Sequence, residues 1–334
     1  SITNSANSGN FKPDWVWTKN RTGTARNHSI FDSSRGINKY LYTNQTDAEA
    51  DVSVSLQSFD TNGFTVGTST QLNPDGNSMV AWQWKANGGT TSSNTDGTIT
   101  STVQANTTAG FSIVTYTGNG TSNDSATIGH GLGVTLDAII IKGRSHTANW
   151  IYGTSALGYN SRLQLNNTVA KADGTYAFGV SGVTPSATTF TVSASSGDDH
   201  TNASSNTYVA YCFAAKKGYS KFGSYEGNGN SDGTFVYTGF KPAFVITKRA
   251  DTGGDNWHIL DNKRDIDNPA KEVISVNSSS AEGTTSTSFI DFLSNGFKCR
   301  GTGASINTSG LTYIYMAFAE APLVGSNNVP CTAR

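Results

Sequence analysis

The sequence predicts an all-β protein built from three tandem β-sandwich-like repeat units. Three observations predict this fold: an apolar run ending in lysine occurs three times, an alternating apolar run closes each copy, and Asp-Gly and Asn-Gly steps punctuate the chain. Alternation with period two places large apolar side chains on one face of a strand. The Asp-Gly and Asn-Gly steps supply the positive φ that tight hairpins require. No window has a sustained helical period.

The first repeated run opens each predicted unit. It occupies residues 11–19, 136–142 and 240–248 and ends in Lys19, Lys142 and Lys248. A second apolar run follows each copy, at residues 29–32, 150–153 and 258–261. Repetition of a strand-rich unit favours a structural or binding protein, because an enzyme usually needs one asymmetric pocket.

The third repeated run closes each predicted unit, at residues 79–84, 208–213 and 313–318. Large apolar residues alternate along this run, so each copy is expected to form a strand with one buried face. We expect the last residue of the run to occupy an equivalent buried position in all three units. These last residues are Trp84, Phe213 and Phe318.

A fourth repeated sequence motif precedes only the second and third copies, at residues 112–120 and 221–229. The first copy has a remnant at residues 8–10, so we expect it to lack this leading strand or to have it upstream of Ser1. An open edge beside residues 11–19 would then be free to pair with a neighbouring chain. The three predicted units are residues 1–87, residues 110–217 and residues 218–334, of which the last includes a C-terminal tail. A Gly/Ser/Thr-rich linker is predicted at residues 88–109. Within it, residues 99–103 could add a strand.

The composition argues against two classes of protein. The net charge is −1, from 23 basic and 24 acidic residues, and no basic stripe is present. Nucleic acid is therefore not an expected partner. No apolar run approaches the roughly 20 residues that span a bilayer, and the N-terminus resembles no signal peptide, so no membrane insertion is expected.

The cysteines and the acidic residues predict no metal site and no cofactor. Three cysteines without a C-x-x-C spacing indicate neither a zinc site nor a full disulfide framework, although a bridge between Cys299 and Cys331 is conceivable. Unpaired cysteines fit a protein made in a reducing cytoplasm. The only cluster of acidic residues with histidine, residues 198–200, lies in a Ser/Gly/Asn-rich loop that cannot by itself form a closed ligand shell. No pair of catalytic carboxylates is marked, so the chain is not expected to be an enzyme.

An aspartate and an arginine three residues apart follow the second apolar run in two of the three copies. These pairs are Asp32 with Arg35, and Asp261 with Arg264. The second copy has no such pair. We therefore interpret both as local salt bridges of a turn, which contribute about 0–1 kcal/mol when they are exposed.

Six residues are candidates for binding a ligand. Lys142 and Lys248 end the first strand of their units, and Arg144 and Arg249 follow closely. This basic group could contact an anionic glycan or a neighbouring subunit, or it could be a set of solvated charges that block edge-to-edge pairing of strands. Trp150 and Trp257 follow polar loops at nearly equivalent positions and are the best candidates for stacking on sugars, with core packing as the alternative.

Several segments carry a family resemblance, and together they cover nearly the whole chain. They lie at residues 110–120, 130–133, 218–225, 235–240, 292–298, 313–322 and 332–334. These segments resemble a repeat domain found in virion proteins of marine tailed phages, especially those of cyanobacteria and pelagic bacteria. The resemblance implies a location in the virion, after assembly in the host cytoplasm. It implies no ligand and no catalytic residue.

The expected function is therefore that of a phage virion structural protein, most simply a tail fibre or appendage component with a role in host attachment. The expected partners are other virion proteins, further copies of this chain in a homo-oligomer, with a trimer favoured for a fibre, and a host-surface glycan. A capsid decoration protein is the main alternative. A glycan-degrading tail enzyme is the third reading, and it would need paired carboxylates across a cleft.

Overall fold

The computed structural model describes residues 1–4, 10–174, 177–194 and 201–319. In these residues every regular element is a β-strand, and the named strands pair antiparallel throughout. The prediction of an all-β fold is thus confirmed. The described part of the chain contains no helix long and apolar enough to cross a membrane.

The N-terminal third of the chain forms a five-stranded sheet, the first main sheet, and a small three-stranded sheet. The first main sheet has the order β5-β4-β3-β2-β8, and the small sheet has the order β1-β7-β6. Their strands are β1 (Ile2–Thr3), β2 (Trp15–Asn20), β3 (Ser29–Asp32), β4 (Lys39–Tyr42), β5 (Ala50–Asp51), β6 (Leu56–Asp60), β7 (Gly63–Val66) and β8 (Met79–Trp84).

The middle third forms an eight-stranded second main sheet and a two-stranded sheet. The second main sheet has the order β16-β15-β14-β13-β18-β11-β10-β9, and β12 pairs with β17. The strands are β9 (Ser92–Asn94), β10 (Ser101–Asn106), β11 (Phe111–Thr117), β12 (Thr127–Gly129), β13 (Ala138–Gly143), β14 (Ile151–Thr154), β15 (Ser161–Gln164), β16 (Ala172–Asp173), β17 (Thr189–Thr191) and β18 (Thr207–Phe213).

The C-terminal third forms a six-stranded third main sheet and a three-stranded sheet. The third main sheet has the order β19-β27-β21-β22-β23-β24, and the small sheet has the order β20-β26-β25. The strands are β19 (Ser220–Glu226), β20 (Phe235–Tyr237), β21 (Phe244–Arg249), β22 (His258–Asp261), β23 (Glu272–Ser275), β24 (Gly283–Thr284), β25 (Ile290–Leu293), β26 (Gly296–Cys299) and β27 (Thr312–Phe318).

The three main sheets share one strand order. In each, the strand that carries the repeated lysine lies between the strand of the second apolar run and the closing strand: β2 lies between β3 and β8, β13 between β14 and β18, and β21 between β22 and β27. This order supports the division into three repeat units. The division itself, the boundaries of the units and their superposition stay predictions.

The prediction of an open strand edge beside residues 11–19 is wrong. Both sides of β2 are paired, with β3 and with β8. The closing strands of the second and third main sheets pair on their far side with β11 and β19. In the first main sheet the far side of β8 has no paired strand among the described residues. The unpaired edge therefore belongs to β8.

The Gly/Ser/Thr-rich segment 88–109 is an ordered extension of the second main sheet. It contains β9 and β10, which pair with each other, and β10 pairs with β11 over six residue pairs. The interpretation of this segment as a flexible linker is therefore wrong for residues 92–94 and 101–106. A strand was expected at 99–103, and β10 covers most of that range.

One hydrophobic core joins the three main sheets. It includes Trp84, Phe213 and Phe318, which are all buried, as the alternation predicted. The ring centroids of Trp84 and Phe318 lie 5.5 Å apart, and those of Phe213 and Phe318 lie 6.0 Å apart. The opposite face of each main sheet packs on its small sheet through a separate apolar cluster. Each sheet pair is thus sandwich-like.

Candidate functional site

The repeated lysines lie in the interior, between the sheets. Lys19, Lys142 and Lys248 are fully buried, and burial lowers the pKa of each ammonium group to about 8. Both readings of these lysines from the sequence are therefore wrong. They form no basic rim for a ligand, and they are not solvated charges at a sheet edge.

Each buried ammonium group donates to one nearby carbonyl and to one carbonyl from a different main sheet. Lys142 Nζ lies 2.9 Å from Ala148 O and 3.0 Å from Thr46 O. The equivalent contacts across sheets join Lys248 Nζ to Thr168 O at 3.4 Å and Lys19 Nζ to Ser279 O at 3.2 Å. Backbone carbonyls satisfy a buried ammonium group without adding a second charge.

These contacts form a closed cycle. Thr46, Thr168 and Ser279 each lie four residues past the end of their strand, β4, β15 and β23. The second main sheet contacts the first, the third contacts the second, and the first contacts the third. The lysine position therefore holds the three main sheets together.

The two candidate tryptophans belong to the same cycle. Trp150 Nε1 donates to Tyr42 O at 2.8 Å, and Trp257 Nε1 donates to Gln164 O at 3.0 Å. Tyr42 and Gln164 are the last residues of β4 and β15. Both indoles are fully buried. Neither presents a face on which a sugar could stack, so core packing is the correct reading.

His28 takes the corresponding place in the third contact. Its Nε2 lies 2.9 Å from the carbonyl oxygen of Ser275, the last residue of β23. Trp17 Nε1 donates to His28 Nδ1 at 2.9 Å. Because an indole N–H can only donate, Nδ1 must accept, and Nε2 must carry the proton that is donated to Ser275. Burial lowers the pKa of His28 well below its ordinary value, in keeping with this neutral tautomer.

The two candidate arginines are engaged in ion pairs. Arg144 donates from Nε and Nη2 to both carboxylate oxygens of Glu49, at 3.0 and 2.9 Å, and so bridges the second main sheet to the first. Arg249 pairs with Asp255 and donates to Gly253 O at 2.9 Å. A ligand contact by either arginine stays a prediction.

The interpretation of the two Asp–Arg pairs as local salt bridges is confirmed, but both pairs are buried, so the small contribution of an exposed pair does not apply to them. Arg35 Nε lies 2.5 Å from Asp32 Oδ2, and neither side chain is exposed. Tyr211, on the second main sheet, donates to the same oxygen at 2.7 Å. Trp82 Nε1 makes the equivalent contact with Asp261 Oδ2 at 3.0 Å. These pairs also connect main sheets.

At the corresponding positions the second main sheet carries no Asp–Arg pair, and the third carries no tyrosine partner for one. The strand registers place Thr154 at the position of Asp32 and Met316 at the position of Tyr211. Leu157, three residues after Thr154, replaces Arg35 and packs against the shared core. The aspartate, the arginine and the tyrosine of the first contact are thus all replaced at these positions.

Three other sequence expectations concern possible metal or disulfide sites. Residues 198–200 and Cys331 lie outside the described residues. Cys212 and Cys299 are buried free thiols. Within the part of the chain that the structure describes, no group of three His, Cys, Asp or Glu residues could hold a metal ion.

The most exposed aromatic surface lies on the small sheet of the C-terminal third. β20 is an edge strand, and its Phe235 and Tyr237 are 44% and 59% exposed. The register aligns Phe235 with Lys298 and Lys298 with Asp291, so these side chains form one row across the sheet. We call this surface, with Phe235, Tyr237, Lys298 and Asp291 on its outward side, the β20 face.

Charged groups at the margin of the β20 face form a network. Asp232 lies 2.5 Å from Lys298 Nζ and 3.4 Å from Arg300 Nη1, and Arg300 Nε lies 3.4 Å from Asp291. The hydrogen bond from Lys298 lowers the pKa of the Asp232 carboxyl. An open pocket of about 550 Å³ lies here, and its lining includes Asp232, Asn268, Phe289, Asp291 and Arg300.

A lysine and a glycine shape the aromatic part of the β20 face. Lys221 Nζ donates to Tyr237 O at 2.7 Å and lies 5.2 Å from the centroid of its ring. Gly296 faces Tyr237 across the sheet, and a Cβ there would come within 3.1 Å of the Phe235 ring and 2.1 Å of Val236 O. Glycine is therefore required for the close approach of β20.

The β20 face is not among the sites predicted above, although the sequence of β20 carries one signal for it. Phe235, Val236 and Tyr237 put apolar side chains on both faces of a short strand. Antiparallel strands with one solvated face usually alternate apolar with polar residues. An aromatic side chain at each outward position departs from that pattern and marks a surface that could bind a partner.

The carboxyl groups of the described residues bear on the reading as a glycan-degrading enzyme, which would need a pair of carboxyls across a cleft. Such a pair needs one carboxyl with a raised pKa to act as the general acid. Among the described residues, each carboxyl whose pKa departs clearly from its ordinary value has it lowered; these are Glu49, Asp60, Asp124, Asp173, Asp232 and Glu282.

The fold and these contacts define an all-β protein whose three main sheets close around one core and whose exposed aromatic residues lie on a small outer sheet. A family model described as a domain of unknown function, DUF7483, matches residues 1–322. The chain therefore belongs to this family. No curated protein and no solved structure matched the chain.

Proposed function

We propose that the protein is a structural component of a phage virion, a tail fibre or similar appendage, and that its β20 face binds a glycan of the host surface. The family resemblance of the sequence supports the virion location. The observation that carries the binding role is the pair of exposed aromatic side chains, Phe235 and Tyr237, beside four ion-paired side chains.

The interior supports a scaffold role. A virion appendage must keep its shape while it is exposed to solvent and to mechanical load. The cyclic contacts of Lys19, Lys142 and Lys248 fix each main sheet to both of the others. Buried polar groups that are fully paired specify one arrangement of the packed elements. Such a scaffold would present the β20 face without deformation.

The chemistry of the β20 face matches a neutral glycan. Aromatic rings provide apolar area at small entropic cost, and the C–H face of a pyranose can pack on them. Carboxylates accept hydrogen bonds from sugar hydroxyls, while the ammonium and guanidinium groups donate to them. Asp232 and Asp291 balance the charge of Lys298 and Arg300. Lys221 beside the Tyr237 ring leaves one positive charge on the face, which is too little to favour a strongly charged ligand.

The binding role is tested with the variant Phe235→Ala/Tyr237→Ala and polysaccharide extracted from the host surface. We expect the affinity of the variant to fall at least tenfold, because both stacking surfaces are removed. Ile37→Ala is the matched control, since Ile37 is also 44% exposed and lies in the first third of the chain. Equal affinity of the wild type and the double variant would rule out the β20 face as the glycan site.

The position on the particle is tested by electron microscopy of virions labelled with an antibody to this chain. Label on the tail is the expected result. Label on the shell would instead favour the capsid decoration protein, and particles without label would overturn the virion assignment. An assay of reducing-sugar release on the same polysaccharide tests the third reading, a glycan-degrading enzyme, for which we expect no release.

A further inference from the structure

The closing strands of the main sheets differ in one respect. β11 pairs with β18 through seven residue pairs, from Phe111 with Phe213 to Thr117 with Thr207. β19 pairs with β27 in the same register, also through seven pairs. β8 is the corresponding strand of the first main sheet, and among the described residues it pairs with β2 alone. No strand of the described residues pairs with its second edge.

The missing neighbour leaves β8 less covered than its counterparts. Val80 and Ala81 are only half-buried. The residues at the position of Val80 in the other two main sheets, Val209 and Ile314, are fully buried. Among the described residues, no strand takes the place at the far edge of β8 that β11 and β19 take in the other two main sheets. An uncovered strand edge is a template for pairing with another chain.

A polar atom on β8 also has no partner. Gln83 Oε1 is buried and makes no hydrogen bond within the described residues. The residue at this position in the second main sheet, Cys212, lies opposite Ser112 of β11, and Ala317 in the third lies opposite Lys221 of β19. Both leading strands thus place a hydrogen-bond donor here. A donor at the same position of an added strand would satisfy Gln83 Oε1.

We propose that the far edge of β8 binds an extended segment of a partner protein, which adds antiparallel to the first main sheet as β11 and β19 add to theirs. This inference is independent of the glycan-binding role. β-strand addition of this kind gains affinity from backbone hydrogen bonds and specificity from alternate side chains.

The two internal examples define the partner segment. The donor residue, Ser112 or Lys221, is followed by an apolar residue, Ile113 or Phe222, which belongs to the shared core. Two positions further on each strand has a small hydroxyl residue, and then a tyrosine. The expected segment is therefore donor, apolar, any residue, Thr or Ser, Tyr, with the apolar residue opposite Trp82 and the donor opposite Gln83.

The test uses the full chain and synthetic peptides with the sequences of residues 110–118 and 219–227. Binding is measured by titration calorimetry, and the site is located by amide hydrogen exchange of residues 79–84. We expect binding of at least one peptide and slower exchange of the β8 amides. Scrambled peptides of the same composition are the control, and they should bind at least tenfold more weakly.

Backbone methylation makes the test specific for strand addition without changing the protein. Alternate N–H groups of an added strand face its partner, so methylating one alternate set should abolish binding while methylating the other set should not. The proposal would be overturned if no peptide bound at millimolar concentration or if the scrambled peptides bound equally well. It would also be overturned if both methylated sets lost binding to the same extent. Protection of residues 79–84 that depends on protein concentration alone would overturn it as well, because a second copy of the chain would then cover this edge.

Discussion

Lys142 Nζ lies 3.0 Å from the carbonyl oxygen of Thr46, although 96 residues separate them in the chain. This contact joins the second main sheet to the first, and its equivalents at Lys19 and Lys248 complete the cycle. The stability of the protein should therefore depend on each of these amines.

Lys142→Met should lower the free energy of unfolding by about 1–3 kcal/mol, because it removes both hydrogen bonds that the buried ammonium group donates. The acceptors are the carbonyl oxygens of Thr46 and Ala148, and Thr46 O keeps a second hydrogen bond, from the Ala148 N–H at 2.9 Å. Lys241→Met is the control, since Lys241 is exposed and its loss should change stability by less than about 0.5 kcal/mol. Urea unfolding measures both. Equal stability of the two variants would contradict the role assigned to the buried ammonium group.

Stability should rise with pH above neutrality. Burial lowers the pKa of Lys142 from 10.5 to about 8, so between these values the folded protein binds fewer protons than the unfolded chain. The free energy of unfolding then increases with pH across this window. Burial raises the pKa of Tyr208 from 10.0 to about 12, so above pH 10 the folded protein binds more protons and the trend reverses.

This pH dependence is measured by urea unfolding between pH 7 and pH 11. In Lys142→Met the rise between pH 8 and pH 10 should be smaller than in the wild type, since one of three lysines no longer titrates. An unchanged slope in the variant would show that Lys142 keeps its ordinary pKa in the folded protein.

Asp32→Thr should be strongly destabilising, by about 3–5 kcal/mol, because it leaves the buried Arg35 guanidinium without its closest partner. The triple variant Asp32→Thr/Arg35→Leu/Tyr211→Met should be more stable than this single variant. It installs the residue types that the contact between the third and second main sheets already uses. Denaturant unfolding of the single and triple variants gives the coupling. A triple variant as unstable as the sum of its single changes would mean that the positions act independently.

Phe213→Ala should lower the free energy of unfolding by about 3–5 kcal/mol, as expected when a buried aromatic side chain is removed from a core. Phe213 contacts Trp15, Phe222 and Phe318, so the cavity would touch all three main sheets. Tyr237→Ala, a change to an exposed aromatic, should have little effect on stability. Comparable losses in the two variants would place Phe213 outside the shared core.

Trp150→Phe should destabilise the protein by about 1–3 kcal/mol and leave glycan binding unchanged. The substitution removes the hydrogen bond to Tyr42 O while the ring remains in the core. Thermal unfolding and polysaccharide binding are measured on the same preparation. A tenfold loss of glycan binding without a loss of stability would indicate that Trp150 contacts the ligand after all.

The alternation of apolar residues was enough to predict the closing strands and the burial of Phe213, because period two follows from backbone geometry alone. The cyclic contacts could not be predicted in this way. The acceptors of Lys19 are carbonyls, which every residue has, and one of them lies 260 residues away. The β9 strand could not be predicted because its three residues are all polar. The exposed Phe235 and Tyr237 lie in a segment that carried a family resemblance but no alternation typical of a strand with one solvated face.

A closed cycle of contacts has a consequence for how the chain folds. Tandem arrays that contact only their neighbours can nucleate anywhere and fray at their ends. Here the first main sheet also contacts the last, through residues 260 positions apart, so a ribosome must release the chain through Ser279 before Lys19 can reach that residue's carbonyl oxygen. Contacts of such large sequence separation slow folding. Once they have formed, the ring of sheets has no terminal member from which unfolding can begin.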